Sequence, residues 1–209
     1  MPDLTFESEY SGLVIGIDEA GRGPLAGPVT AGAVLLPVEF AHCEINDSKK
    51  LSERQRERLF EELRQREDIL WAVVHVSPKE VDEQNILRAT GLAMTRAAEG
   101  LVAEIRKSGR GEGVEMCLID GLPVKGFPFP HRGIVKGDAR SLSIATASIF
   151  AKVERDRLMR EAAENYPGYG FERHKGYGTK AHLEALAALG PCPLHRRSFA
   201  PVAQLSLDL

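Results

Sequence analysis

A mixed α/β sheet with helices on both faces and a C-terminal helical extension is the fold class this sequence predicts. Three observations lead to it. Strand-length runs rich in Val, Ile and Leu crowd the segment before Ser77. Helix and strand patterns then alternate as far as Lys136. From about Leu142 onward only helical patterns remain. The 209 residues suit one domain, taken as 1–203 with the extension starting near 142 and a flexible tail at 204–209.

The first strand is Leu13 to Asp18, apolar and ending in acid. The second, Val29 to Leu36, is bounded by Pro28 and Pro37, and the glycine–proline turn before it predicts hairpin-like pairing with the first. Ser52 opens a helix, with Gln55 completing a capping box. Ile69 to Val76 is a third strand, stopped by Ser77-Pro78. Ser77, Pro78 and Glu80 fit the cap, first and third positions of a helix carrying Ala89, Ala93, Ala97, Leu101 and Ile105 on one face and ending near Ser108-Gly109. Strands follow at Glu115 to Asp120 and around Gly133 to Lys136. A long helix runs from Leu142 to Asn165, with Leu142, Ala145, Ile149 and Val153 as its buried stripe. A shorter one spans Thr179 to Leu189, stopped by Gly190-Pro191.

Composition narrows the function. No apolar run is long enough to cross a bilayer, and Asp3, Glu7 and Glu9 make the first ten residues unlike a secretory leader. The expectation is a cytoplasmic protein with no membrane partner. Cys43, Cys117 and Cys192 lack metal-type spacing and read as reduced thiols, Cys117 as a small hydrophobe. A formal charge of -3 argues mildly against nucleic acid, but distribution matters more than the sum. Two divalent cations would raise it by four, to +1. Basic residues cluster at Lys49-Lys50, Lys136 with Arg140, Arg173-His174-Lys175 with Lys180, and Arg196-Arg197. For any one cluster, solvated surface charge is the ordinary reading.

Four acids stand out by position. Asp18 and Glu19 close the first strand, Asp120 closes the fourth, and Asp138 precedes the long helix. Each has an ordinary explanation: a solvated turn, an Asp-Gly turn, a cap. Adjacent strand residues point to opposite faces, so Asp18 and Glu19 converge only if the strand stops or bends there, a freedom Gly21 supplies. Strand ends are where layered α/β proteins place their sites. Clustered carboxylates repel unless cations neutralise them, and oxygen-only ligands suit Mg²⁺ or Mn²⁺. The glycines of Gly21-Arg22-Gly23-Pro24-Leu25-Ala26-Gly27 are spaced one residue too long for a dinucleotide fingerprint, which counts against an oxidoreductase. Such a loop lets backbone approach a substrate, and a sugar 2′-hydroxyl is a plausible target. The stretch YPGYGFERHKGYGTK from Tyr166 interleaves aromatic and basic residues, as nucleic-acid binders do. Inward packing of Tyr166, Tyr169 and Phe171 is the equal alternative.

Together these motifs resemble type 2 ribonuclease H, in its bacterial ribonuclease HII form. The resemblance runs from about Gly12 to Val202 and is carried by GIDEAGRGPLAGPV from Gly16, DSKKLS from Asp47, LIDG from Leu118, KGDARSLSIATASIFAKVERD from Lys136, YPGYGFERHKGYGT from Tyr166 and GPCPLHRRSFAPV from Gly190. It implies a ribonuclease H-like fold with a mixed five-stranded sheet. It implies that Asp18, Glu19, Asp120 and Asp138 bind two Mg²⁺ or Mn²⁺ ions for hydrolysis, and that Gly21, Arg22 and Gly23 recognise the ribonucleotide. Tyr177 matches the tyrosine that packs on the neighbouring deoxyribose. Thr146 departs from the usual alanine, away from the carboxylates. No large extra N-terminal domain is evident, unlike the related ribonuclease HIII. The expected partner is an RNA–DNA hybrid or ribonucleotide-containing duplex DNA, with Lys49, Lys50, Lys136, His174 and Lys175 as further contacts. A non-catalytic hybrid-binding module would not need four acids. The ending Gln204-Leu205-Ser206-Leu207-Asp208-Leu209 looks like the peptide by which bacterial replication proteins dock on the sliding clamp, with Gln204, Leu207 and Leu209 as anchors; pairing as a short strand is the alternative.

Overall fold

The computed structural model describes residues 1–205. Strands β1 (Val14–Ala20), β2 (Val29–Leu35), β3 (Leu70–Val76), β4 (Met116–Asp120) and β5 (His131–Ile134) form one sheet in the order β3-β2-β1-β4-β5. β1 pairs antiparallel with β2, and β2 with β3; β1 pairs parallel with β4, and β4 with β5. The hairpin expected of the first two strands is therefore present. The parallel pair β1–β4 needs a crossover, which the central helices supply.

Helix α1 (Glu53–Arg64) starts at Ser52 with the expected capping box, the Gln55 side chain accepting from the Ser52 N–H at 2.9 Å. The single helix expected from Ser77 to Ser108 is instead two, α2 (Pro78–Gln84) and α3 (Ile86–Lys107). Asn85 parts them with φ 68°, its side-chain oxygen accepting from the N–H groups of Leu87 (3.0 Å) and Arg88 (3.1 Å). The alanine periodicity reported the buried stripe but not the break, because an asparagine satisfies a new helix start better than it fills a helix interior. Asn85→Ala removes the cap and with it the hydrogen bonds that hold residue 85 at its positive φ, so a loss of about 2 kcal/mol is expected in urea unfolding. Asn85→Gly, which keeps the backbone freedom, costs less.

α3 covers one face of the sheet, where Ile15, Ile17, Ala31, Ala33, Ala93, Ala97 and Leu101 are buried together with Cys117. Burial pushes the Cys117 thiol up to about 12, so it packs as the expected apolar residue. α4 (Leu142–Asn165) lies on the other face, with Phe60 and Phe150 in edge contact at 4.8 Å. A Cβ on Gly16 would collide with the backbone of Ser143 and Ile144. This close approach seats the start of α4 directly on β1. The N-terminal segment fastens the same point: Glu7 accepts from the hydroxyls of Ser141 and Ser143, each at 2.6 Å, and from the Ser143 N–H at 3.0 Å.

The extension consists of α5 (Phe171–His174), α6 (Lys180–Leu189) and α7 (Ala200–Leu205). Tyr169 and Phe171 are buried and stack at 5.2 Å, which decides for inward packing of both. Gln204 is exposed on α7, while Leu205 packs against Leu25, Leu186 and Val202. The first two residues of the expected tail are thus helical, and Leu207 and Leu209 lie outside the described residues. Among the described residues no helix is long and apolar enough to cross a membrane.

Candidate active site and nucleic-acid interface

Parallel pairing of β1 with β4 puts Asp18 beside Asp120, since Ile17 and Ile119 are register partners. Side chains alternate along β1: Ile15 and Ile17 face α3, so Gly16 and Asp18 face α4. Asp138 arrives on a 3-10 turn, Gly137–Ala139, between β5 and α4. Carboxylate oxygens of Asp18, Asp120 and Asp138 lie within 4.8 Å of one another. The Gly137 N–H donates to Asp120 Oδ1 at 2.7 Å and ties the turn to the strand end.

Glu19 stands beside these three aspartates. β1 does not stop at Asp18 but continues to Ala20. Glu19 therefore keeps the alternation and is not among the three clustered aspartates. It borders them, accepting from Arg22 Nη1 at 3.3 Å, and its charge still raises the pKa of Asp18.

The electrostatics are those of a crowded anionic pocket. Burial, then Glu19 and Asp120, hold Asp18 well above the usual carboxylate range. Burial raises Glu19 despite the Arg22 guanidinium. Burial, then Asp120 and Asp47, raise Asp138. Lys49 Nζ lies 3.4 Å from Asp138 Oδ2. Burial lowers the Lys49 pKa, but Asp138, Asp18 and Asp47 outweigh it and leave the ammonium above its ordinary value. Ser148 on α4 lies close enough to Asp18 to offset part of the rise in the Asp18 pKa and shares a 2.8 Å hydrogen bond with Ser48. Neither serine is marked by the sequence, because a buried serine looks like any small residue. Three converging carboxylates with oxygen-only donors and unrelieved repulsion fit divalent cations.

Beside this pocket lies the glycine loop. Gly21 has φ 91°, and a Cβ there would collide with Arg155 Nε. Two buried arginines hold the loop. Arg155 donates to the carbonyls of Pro28 (2.9 Å), Lys175 (3.0 Å) and Ala26 (3.1 Å). Arg196 donates to those of Gly27 (3.0 Å), Arg22 (2.9 Å) and Gly21 (2.6 Å). Both are 0% exposed, so Arg196 is not the surface charge its cluster suggested. Burial, and then the nearby Arg155, push Arg196 down to about 9, still protonated at neutral pH. A position outside the apolar periodicity gave no sign of this burial.

Tyr177 is 43% exposed and stands next to Gly23, its Cε1 3.9 Å from where a Cβ on that glycine would be. Lys152 Nζ is 5.9 Å from its ring centre, and pairs with Asp156 at 2.7 Å. Lys152 is a further basic residue that the sequence did not single out. Lys50 and Lys136 are exposed, Lys136 in a left-handed conformation at φ 57°. The other two basic candidates turn inward. Lys175 is 7% exposed and donates to the Glu172 carbonyl at 2.5 Å. His174 Nε2–H donates to the Tyr169 carbonyl at 2.8 Å, and the ring stacks on His182 at 4.4 Å. Both brace the extension, and neither offers its polar atoms to a ligand as expected. Asp82, late in α2, accepts from the N–H groups of Arg197 (2.8 Å) and Ser198 (2.9 Å), fastening the segment that carries Arg196.

The five-stranded order with three aspartates gathered on one face places the protein in the ribonuclease H-like fold class. The ribonuclease H2 crystal structure from Pyrococcus horikoshii matches with a TM-score of 0.75 and 25% identity, over 94% of this chain and 98% of that one. The ribonuclease HII in the PCNA:RNase HII complex from Archaeoglobus fulgidus matches with a TM-score of 0.69 and 25% identity, over 90% and 95%. The family model described as Ribonuclease HII matches residues 15–202. Ribonuclease HII of Zymomonas mobilis is 48% identical over 204 residues, 98% of this chain and 92% of that protein. That of Desulfitobacterium hafniense is 52% identical over 196 residues, 94% and 71%. The chain belongs to the ribonuclease HII family, and its aspartate cluster supports an endonuclease of the ribonuclease H type.

Proposed function

We propose that the protein hydrolyses the RNA strand of RNA–DNA hybrids and cuts on the 5′ side of single ribonucleotides in duplex DNA, leaving 3′-hydroxyl and 5′-phosphate ends. The observation that carries this reading is the aspartate cluster set beside a glycine loop and an exposed tyrosine. Asp18, Asp120 and Asp138, with Glu19 at their border, would hold two divalent cations, Mg²⁺ or Mn²⁺. Bound there, such a pair supplies activation of water for attack at phosphorus and stabilisation of the leaving 3′-oxygen. Arg22 and Lys49 position phosphates as they leave Glu19 and Asp138. The Gly21–Gly23 backbone reads the 2′-hydroxyl, which is recognised and does not attack. Tyr177 packs on the neighbouring deoxyribose, and Lys50 and Lys136 meet phosphates further along. The test is cleavage of a DNA duplex carrying one ribonucleotide, with and without Mg²⁺; equal rates in both would remove the metal from the reading.

Cation binding has a signature independent of turnover. Asp18, Glu19 and Asp138 have folded pKa values above their unfolded ones. Their contribution to stability is full below the unfolded values and is lost as pH rises through the folded values. Near neutral pH the metal-free pocket is therefore under repulsion that cations relieve. Mn²⁺ is expected to raise Tm more at about pH 7 than at about pH 4, by scanning calorimetry.

Tyr177→Ala is expected to slow cleavage at a single ribonucleotide roughly 10- to 100-fold, the scale of one lost stacking contact, with Mn²⁺ affinity unchanged by calorimetry. A mutant as fast as the wild type would leave Tyr177 without a role in substrate binding. We also infer that Gln204, Leu207 and Leu209 dock on the sliding clamp; the PCNA complex of the Archaeoglobus fulgidus relative supports this. Because Leu205 packs on the body of the protein, the truncation to make is after Leu205. Clamp binding should vanish while the rate on a short duplex persists.

A further inference from the structure

Arg196 aims its guanidinium at the glycine loop beside the aspartate pocket. Its Nη2 and Nη1 donate to the carbonyls of Gly21 and Arg22, at 2.6 and 2.9 Å. Those carbonyls belong to the two peptide units whose N–H groups are Arg22 N and Gly23 N. Among the described residues neither N–H has a hydrogen-bond partner, and both residues are exposed. A hydrogen bond to a peptide oxygen, made stronger by a charged donor, polarises the whole amide and makes its N–H a better donor. A guanidinium is also planar, so two donors fix the relative tilt of the two peptides, which a lysine ammonium cannot do. Asp82 holds the adjoining Arg197 and Ser198 in place, so the guanidinium is itself anchored from α2. Arg155 serves as an internal comparison. It is equally buried and makes as many hydrogen bonds, but its acceptors are Ala26, Pro28 and Lys175, none of them a carbonyl of the Gly21–Arg22 or Arg22–Gly23 peptide.

We propose that Arg196 is a positioning residue for ribose recognition: it orients and polarises the Gly21–Arg22 and Arg22–Gly23 peptides, so that their free N–H groups distinguish a 2′-hydroxyl from a 2′-hydrogen. This rests on the reading of the loop as the ribose-recognition element. The experiment compares wild type, Arg196→Lys and Arg155→Lys, each shown by calorimetry to unfold cooperatively. Binding is measured with Ca²⁺ to suppress turnover, on a DNA duplex with one ribonucleotide and on the all-DNA duplex, alongside Mn²⁺ affinity of the free proteins. Arg196→Lys should lower the ribo-to-deoxy affinity ratio on the order of tenfold, the scale of one compromised hydrogen bond in a recognition site. Its Mn²⁺ affinity should stay unchanged. Arg155→Lys should lower the ratio less than Arg196→Lys does; an equal or larger fall overturns the particular role of Arg196. A wild type with no preference for the ribonucleotide duplex sinks the reading of the loop; a wild-type preference kept intact in Arg196→Lys overturns the role of Arg196 alone. Should Arg196→Lys fail to fold, the wild type still decides. The Arg196 guanidinium nitrogen resonances should shift on binding the ribonucleotide duplex and not the DNA duplex, with those of Arg155 still; equal shifts for both arginines overturn the proposal.

Discussion

Asp138→Asn is expected to lower cleavage on the order of 10³-fold, the scale on which loss of one preorganised electrostatic group acts, while the fold survives. Asp138 is 5% exposed and sits on the turn that the Gly137 N–H binds to Asp120. Asparagine is isosteric and preserves that turn, since the hydrogen bond comes from the backbone. What it removes is one negative charge from three carboxylates whose oxygens lie within 4.8 Å. Burial and Asp120 already disfavour the charged form of Asp138, so the metal-free variant should melt at a higher temperature than the metal-free wild type. The rise in Tm on adding Mn²⁺ should shrink, because a ligand charge is gone. Activity down, metal-free stability up and cation stabilisation down is a combination that general misfolding does not produce. Cleavage near the wild-type rate with Mg²⁺ would remove Asp138 from the catalytic set.

The second large effect concerns the substrate. A duplex with one embedded ribonucleotide should be cut on its 5′ side, and an all-DNA duplex should react at least roughly 10⁴-fold more slowly. A site built to hydrogen-bond a hydroxyl rejects the analogue lacking it by about that factor, because its polar groups are left unpaired. The free N–H groups of Arg22 and Gly23 are such groups in this loop, and Tyr177 stands against Gly23. Fragment ends distinguish the chemistry. A 3′-hydroxyl and a 5′-phosphate agree with attack by water at phosphorus. A 2′,3′-cyclic phosphate means that the 2′-hydroxyl attacked, and the mechanism fails.

The three clustered aspartates were legible because Asp120 closes β4, Asp18 lies two residues from the end of β1 and Asp138 sits on the turn before α4, places that local pattern marks to within a residue or two. Glu19 was only half legible. Its register depends on where β1 stops, and β1 runs to Ala20 because Glu19 and Ala20 pair with Ala31 and Thr30 of β2, a contact between segments. The break at Asn85 was hidden for the opposite reason. Apolar periodicity continues across it, and only the backbone angle of one residue changes. The burial of Lys175 and Arg196 is not legible, because a basic side chain carries no local mark of burial. Arg196 is held by carbonyl groups distant in sequence, those of Gly21, Arg22 and Gly27, which it meets from the far end of the chain.

By itself, then, the sequence determined the class of fold, the caps at Ser52 and Ser77, the buried stripes of α3 and α4, and the acids that form the site. These follow from local propensity and from periods of two and 3.6 residues, which a linear reading detects. The tertiary structure alone decided which aspartates share one pocket, which basic residues face outward, and how the glycine loop is held with two N–H groups free. Those depend on distances between residues up to 175 positions apart, fixed by the pairing of β1 with β4, the seating of α4 against Gly16 and the insertion of two arginines beneath a loop whose own residues do not encode them.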